Sequence, residues 1–360
     1  MNVTIEKVSD YDVEKLKDFF LNSLTKSRKF KNQKKVLLKP NLLQASPPDK
    51  AITTHPLFIK GVVLALLELD SSIEILIGDS PGANFINYNR VLERTGMLDI
   101  INEFNISPVK IEEYPPKIYN GLLLSSIVEH VDCIINLAKL KTHSLTGLTL
   151  CVKNLFGLIP GNYKVKYHKD YPVNKELGVN IAKIYEFLKN KTISFIDGIL
   201  AHEGEGPSRG RANKLGIVGF SDDAEVLDMA ITKLLGLPPE FCKTNIYFID
   251  KVDNIEDCLP QNLKINGIKL PISTKIDFLP NWLKKFVADS IKVKPEIMKS
   301  DCIKCYLCYK SCPVEAISLD NDKFPVVNKN DCIECYCCYE VCESDAIRLK
   351  RSLLHRLYVR

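Results

Sequence analysis

The feature that most constrains this chain is a cysteine-rich segment near its C-terminus that is written twice. Residues 301–317 read DCIKCYLCYKSCPVEAI, and residues 331–347 read DCIECYCCYEVCESDAI. The spacing is Cys302-x2-Cys305-x2-Cys308-x3-Cys312 and then Cys332-x2-Cys335-x2-Cys338-x3-Cys342, so eight of the thirteen cysteines stand in two equivalent sets. Cys337 falls outside them, because including it would break the spacings that Cys338 keeps.

Three cysteines on one tight loop aim their sulfurs at a single iron–sulfide cube, while the fourth reaches the neighbouring cube. The sequence therefore assigns Cys302, Cys305, Cys308 and Cys342 to one [4Fe-4S] cluster, and Cys332, Cys335, Cys338 and Cys312 to a second. This is the run of bacterial two-cluster ferredoxins. Structural zinc sites typically use two cysteine pairs separated by a longer insert, and a disulfide framework belongs to a secreted context that the N-terminus does not announce. Pro313 follows the last cysteine of the first repeat and Glu343 that of the second. A carboxylate there disfavours added electrons, so the two clusters are expected to differ in potential. Cys133, Cys151, Cys242 and Cys258 are isolated and read as small buried hydrophobes.

At 360 residues the chain has room for one large domain and one small one. Hydrophobic residues at 46% and charged residues at 26% suit a globular core and exclude a disordered chain. The expected organisation is an α/β domain over 1–275, a linker or docking helix over 276–296, a cluster module over 297–350 and a basic tail over 351–360. Trp282, Leu283, Phe286, Val287 and Ile291 would form one stripe of the docking helix. No apolar stretch of signal type opens the chain, and the apolar run at 57–69 is interrupted by Lys60 and Glu68. The expectation is a cytoplasmic protein with no membrane span. The formal charge of +5 falls to about +1 once each cluster with its thiolates contributes about −2, which argues against a nucleic-acid partner.

Over the first 270 or so residues, short β-branched runs alternate with stretches of helical period, the pattern of a parallel or mixed sheet with helices on both faces. Strands are expected at 36–38, 73–77, 133–137, 193–196 and 215–218. Helices are expected from Pro56 to Leu69 and from near Tyr88 to Gly96. The expected runs lead into Lys39-Pro40-Asn41, Gly78-Asp79-Ser80, Lys139 to His143, Asp197-Gly198 and Asp222-Asp223. If the strands are parallel, these loops gather at the carboxyl edge, where open α/β sheets bind ligands. Lys39, Asn41, Asp79, Ser80, Asn154, Asp197 and Arg209 are the expected ligand-binding residues there.

In TGLTLCVKNLFGLIP (146–160), Leu148, Val152, Leu155 and Phe156 recur at helical spacing and leave Lys153 and Asn154 near the polar loops. Lys141, His143 and Lys153 are candidate catalytic residues that would engage an anionic ligand. His202, Glu203 and Glu205 join them from a glycine-rich loop, since histidine with glutamate can hold a metal or relay protons. The stretch NYKVKYHKDY (162–171) reads as a lid or rim. No GxxxxGK[ST] occurs, and no GxGxxG opens a helix after a strand, so nucleotide binding is unsupported.

The chain resembles the family defined as domain of unknown function 362, followed by a paired ferredoxin module. The resemblance rests on LLKPNL (37–42), GDSPGA (78–83), NLAKLKTH (136–143), KNLFGLIPG (153–161), DGI (197–199), GEGPSRG (204–210) and SDDAEVLDMA (221–230). It implies the architecture and a redox setting, with a redox partner protein, and names no substrate. A fainter similarity is to nickel-pincer lactate racemases, in the setting of Lys153, Pro160 and Gly161. The leading expectation is an oxidoreductase whose clusters serve a ligand at the sheet edge. The alternatives are an electron carrier that docks a partner enzyme, and a metal- or nucleotide-cofactor enzyme with structural clusters.

Overall fold

Parallel strands buried on both faces read as continuous apolar runs, and this chain has several. A computed structural model describes residues 3–82, 86–261, 263–271, 273–274 and 293–350. The expected docking stripe and the basic tail lie outside the described residues.

The large domain runs β1 (Val3–Lys7), α1 (Val13–Lys26), β2 (Lys35–Pro40), α2 (Pro56–Leu69), β3 (Glu74–Asp79), α3 (Tyr88–Arg94), α4 (Met97–Phe104) and β4 (Ser107–Lys110). It continues with β5 (Pro116–Tyr119), β6 (Leu122–Ser125), β7 (Cys133–His143), β8 (Gly147–Thr149), α5 (Cys151–Asn154), α6 (Gly161–Asp170), α7 (Asn174–Leu188), β9 (Thr192–Glu205), β10 (Arg209–Ser221) and α8 (Ala224–Leu234). Asp12 caps α1 by accepting from the backbone of Glu14 and Lys15, and Pro56 opens α2 behind His55.

The sheet order is β1-β10-β9-β7-β2-β3-β4, with β8 paired to β7. Strands β9, β7, β2, β3 and β4 are mutually parallel, while β10 runs antiparallel to both its neighbours. One face carries a core built on Leu16, Phe20, Phe58 and Val62 of α1 and α2; the other carries Val152, Ile181, Tyr185 and Leu227 of α5, α7 and α8. Helices on both faces of a mixed sheet thus match the architecture read from the sequence.

One expectation needs correcting. Because β10 is antiparallel, Asp222 and Asp223 emerge at the opposite edge from the other loops. There Asp222 accepts from Ser27 Oγ and, at 2.9 Å, from the Arg28 amide. A direct β9–β10 hairpin reverses the chain where a crossover would have kept it parallel.

Strand β7 extends to His143, well past the expected end at Leu137. Side chains two apart share a face, so Lys139, Lys141 and His143 line one side of this extension. Helix α5 begins at Cys151, and its first amides are held by Asp228, whose carboxylate accepts from Cys151 N at 2.8 Å and Val152 N at 2.9 Å. That contact fixes the helix carrying Lys153 and Asn154. Gly157 follows where a Cβ would lie 2.0 Å from Asp79 Oδ1 and 2.6 Å from Lys39 Nζ, so any larger residue would have to displace that buried pair.

The small module pairs β11 (Lys294–Ile297) with β14 (Ile347–Lys350), and β12 (Ile317–Leu319) with β13 (Pro325–Val327). Between them lie the one-turn helices Leu307–Lys310 and Cys337–Glu340, each following one cysteine loop. The sequence duplication is thereby a structural one.

Replacing Asp228 with alanine strands two buried amides, which costs about 2–4 kcal/mol. Urea unfolding of Asp228→Ala should show that loss, and stability equal to the parent would mean that the cap does not hold α5.

Candidate functional site

In each repeat the cysteine loop uses left-handed backbone at matching positions: Lys304 (φ 56°) and Tyr306 (φ 60°) in the first, Glu334 (φ 58°) and Tyr336 (φ 57°) in the second. Non-glycine residues rarely adopt this region, and alternating handedness turns successive amides inward to form an anion-binding concavity. Such a nest suits a cluster with its thiolates.

The thiols are grouped to match. Burial pushes Cys308 up to about 12, and Cys342, Cys305 and Cys302 add to the shift through their proximity. Burial likewise raises Cys338 well above the ordinary thiol range, with Cys335, Cys332, Cys308 and Cys312 as its charged neighbours. Cys312, Cys332, Cys335 and Cys338 line one cavity with Pro295 and Tyr336. Eight thiols in two crowded sets, with Cys308 and Cys338 pushed away from the thiolate form by burial, fit an iron centre that stabilises thiolate. Among the described residues, no three His, Cys, Asp or Glu side chains converge on a single-ion site.

A second cavity opens at the carboxyl edge of β2, β3 and β7, lined by Asn41, Asp79, Ser80, Lys141, His143, Thr149, Lys153, Asn154, Lys164 and His168. Cys337 and Glu340 of the small module line it too, so the cavity is completed across the junction of the two domains.

Its floor is a hydrogen-bonded ladder. Lys39 Nζ pairs with Asp79 Oδ1 at 2.7 Å, and the second Asp79 oxygen accepts from Leu42 N at 2.7 Å. Asn154 donates to Lys39 O (3.1 Å) and Asn136 Oδ1 (2.8 Å), and accepts from Asn41 Nδ2 at 2.9 Å. Lys141 Nζ donates to Asn41 Oδ1 (2.7 Å) and Ile52 O (2.9 Å), both neutral. Burial lowers Lys141 to about 7.

His143 Nδ1 accepts from the amides of Leu145 (3.1 Å) and Thr146 (3.4 Å), which leaves the proton on Nε2. That nitrogen faces Glu340 Oε1 at 3.5 Å. Burial, with Lys153 and Lys141 adding to it, holds His143 well below its ordinary range; burial raises the Glu340 carboxyl, against the pull of Lys153, Lys141 and Lys164. Lys153 Nζ makes no hydrogen bond among the described residues and stands 5.8 Å above the Phe156 ring.

Lys164 and His168 were not among the expected site residues. They sit four apart on α6, in the stretch expected to form a rim, and share the face turned to the cavity. Lys164 donates to the carbonyls of Ser80 and Pro81, and burial lowers it to about 8. Ser80 Oγ donates to Glu112.

Other expected residues lie elsewhere. Asp197 is enclosed, accepting from Tyr11 OH (2.8 Å), Lys139 Nζ (2.9 Å) and His55 N (3.0 Å). His202 uses both ring nitrogens, against Lys50 O (2.9 Å) and Gly210 N (2.8 Å). Glu203 holds Arg211 (2.8 Å), Asn213 (2.8 Å) and the amide of Lys269 (2.9 Å). Glu205 and Arg209 line a larger groove along the junction.

There Arg209 grips the small module. It donates to the carbonyls of Tyr339 (3.3 Å) and Cys342 (3.0 Å), pairs with Asp345 at 3.0 Å and stacks 4.5 Å from the Tyr339 ring centre. Glu343 is paired with Arg90 at 3.0 Å, so its charge beside Cys342 is partly offset.

Fold and thiol-lined module together define an iron–sulfur protein in which a 4Fe-4S module is attached to an α/β domain. The chain belongs to the family described as domain of unknown function (DUF362), whose model matches residues 36–233, and residues 295–349 match a 4Fe-4S dicluster domain. A thylakoid-associated protein of Synechocystis sp. is 35% identical over 213 residues, covering 57% of this chain and 64% of that protein. Pyruvate synthase subunit PorD of Pyrococcus furiosus is 52% identical over 33 residues, 9% of this chain and 31% of that protein. The chain thus spans less than two thirds of the curated relatives it matches. Lactate racemase apoprotein from Thermoanaerobacterium thermosaccharolyticum aligns with a TM-score of 0.36 and 12% identity, over 62% of this chain and 55% of that one. No helix among the described residues is long and apolar enough to cross a membrane.

Burial lowers His55 to about 4, His168 to about 3 and His202 to about 4. Each is neutral when folded but takes up a proton below about 6.5 when unfolded, so its contribution is complete above that pH and is lost as the pH falls towards 4. The slope is about 1.4 kcal/mol per pH unit for each histidine. Urea titrations of the parent and His168→Gln should differ by that slope near pH 5; parallel curves would contradict the burial of a neutral His168.

Proposed function

We propose that this protein is an oxidoreductase that carries two [4Fe-4S] clusters and exchanges electrons with an anionic ligand held in the junction cavity. One cluster is held by Cys302, Cys305, Cys308 and Cys342, the other by Cys332, Cys335, Cys338 and Cys312. When bound, the clusters supply one-electron transfer. A soluble redox partner protein in the cytoplasm is their electron source.

The observation that carries this reading is the shared cavity: Cys337 and Glu340 of the cluster module form one wall, and Lys141, Lys153 and Lys164 of the α/β domain line it with them. A pure carrier has no need of buried lysines beside its clusters. Lys141 and Lys164 donate to neutral oxygens, so their charge is available to an incoming anion. Asn41 and Asn154 brace the lysines, Arg209 and Arg90 keep the module docked, and the apolar flank of Phe156 excludes water. The likeness to the pyruvate synthase subunit covers 33 residues and speaks for the module alone.

Reduced holoprotein should be reoxidised by small anionic acceptors faster than by neutral acceptors of matched potential. Lys153→Met should remove about tenfold or more of that advantage with the cluster spectra unchanged. Equal rates for both acceptor classes in the parent would refute a redox role for the cavity.

A further inference from the structure

The two repeats of the cluster module are near copies, but the large domain treats them differently. Tyr339 is 5% exposed against the large domain, whereas its counterpart Tyr309 is 47% exposed. Cys305 is exposed; its counterpart Cys335 is partly covered. The one-turn helices differ in sequence where this matters: Leu307 and Lys310 in the first repeat correspond to Cys337 and Glu340 in the second. Only the second pair lines the lysine-rich cavity.

The same cavity holds an unmet polar group. The Thr149 hydroxyl is buried and has no hydrogen-bond partner among the described residues, although it lies on the wall with Lys153 and His168. Burying a hydroxyl without a partner costs free energy, so such a group in a ligand-sized recess marks a place where a ligand atom completes the bonding. Lys153, itself without a hydrogen bond among the described residues, supplies the charge. A hydroxyl and three lysines, Lys141, Lys153 and Lys164, lining one recess select a compact oxyanion over a neutral or cationic ligand.

We infer that the cavity is an oxyanion site coupled to one cluster only: an anion held by Lys153 and Thr149 lies against Cys337, next to the thiolate loop of the second repeat. The second-repeat cluster is then the inner one, and the first-repeat cluster, with Cys305 at the surface, is the outer one that meets the partner. Cys337 is the covalent neighbour of the ligand cysteine Cys338, so the cavity wall and the cluster loop are one continuous strip of chain. Cys337 acts as a positioning residue. This inference rests on the proposed redox reading and adds which cluster serves the cavity and what the cavity selects.

Inorganic phosphate is the probe, titrated into anaerobic, reduced holoprotein and followed by electron paramagnetic resonance with phosphorus hyperfine detection. Phosphate should perturb one cluster signal and leave the other unchanged. The signal that responds should be the one altered by Cys337→Ser and untouched by Lys310→Met. Thr149→Val and Lys153→Met should each weaken phosphate binding, the latter by about tenfold or more, with iron content unchanged. Equal perturbation of both signals, or a responsive signal that follows Lys310→Met, would overturn the inference, as would phosphate affinity indifferent to Lys153→Met. Equilibrium dialysis of phosphate against the same variants gives a readout independent of the clusters. Phosphate that binds as expected in protein lacking electron exchange with any anionic acceptor would remove the redox reading and leave the oxyanion site standing.

Discussion

Thiols held together in a half-buried module must be balanced by positive charge, and the rest of this structure is arranged around that constraint. Each cysteine loop turns its backbone into the left-handed region at two non-glycine residues, a conformation that is unfavourable alone and sensible around an anionic centre. The large domain then presses on one of the two loops. Arg209 reaches the carbonyls of Tyr339 and Cys342, Arg90 meets Glu343, and His143 faces Glu340. All three contacts fall on the second repeat, and the two arginines make its docking one of charge as well as of shape.

Against this docked loop the α/β domain gathers lysines from three different elements: Lys141 from β7, Lys153 from α5 and Lys164 from α6. A lysine buried against neutral acceptors loses more by dehydration than the nearby carboxylates return, which is why Lys141 and Lys164 are pulled down into the range of 7 to 8. The other buried lysines behave differently. Lys39 and Lys139 are matched to Asp79 and Asp197, and these pairs hold the sheet edge together without adding net charge to the cavity. Lysines paired with carboxylates thus brace the sheet edge, and those bonded to neutral oxygens line the cavity.

Much of this was legible in the sequence because it is local. The cysteine spacing survives any tertiary arrangement, and the alternation of β-branched runs with helical periods announces an α/β sheet. The places of Lys39, Asn41, Asp79, Lys141 and His143 could be anticipated because strand ends in parallel sheets share an edge, and those of Lys153 and Asn154 because helical spacing turns them towards it. Long-range pairing was not legible. Nothing in the residues around Arg209 to Ser221 marks β10 as antiparallel, yet that reversal carries Asp222 to the far edge. His202, Glu203 and Asp197 looked chemical in a loop but are occupied by backbone and side chains brought from Lys50, Lys269, Tyr11 and Lys139. Lys164 and His168 hid in a tyrosine- and lysine-rich stretch whose four-residue spacing was their only signal. Cys337 and Glu340 reach the cavity only because two domains meet there.

The central claim is that eight thiolates hold two cubes while the ninth cysteine of the module faces a ligand. Mössbauer spectroscopy with iron and sulfide analysis on anaerobically prepared parent protein and Cys337→Ser tests it most directly. The account predicts about eight irons and eight sulfides per chain, all in cubane environments, in both proteins. Iron near four per chain in the parent, or loss of a cluster on removing the Cys337 thiol, would contradict it.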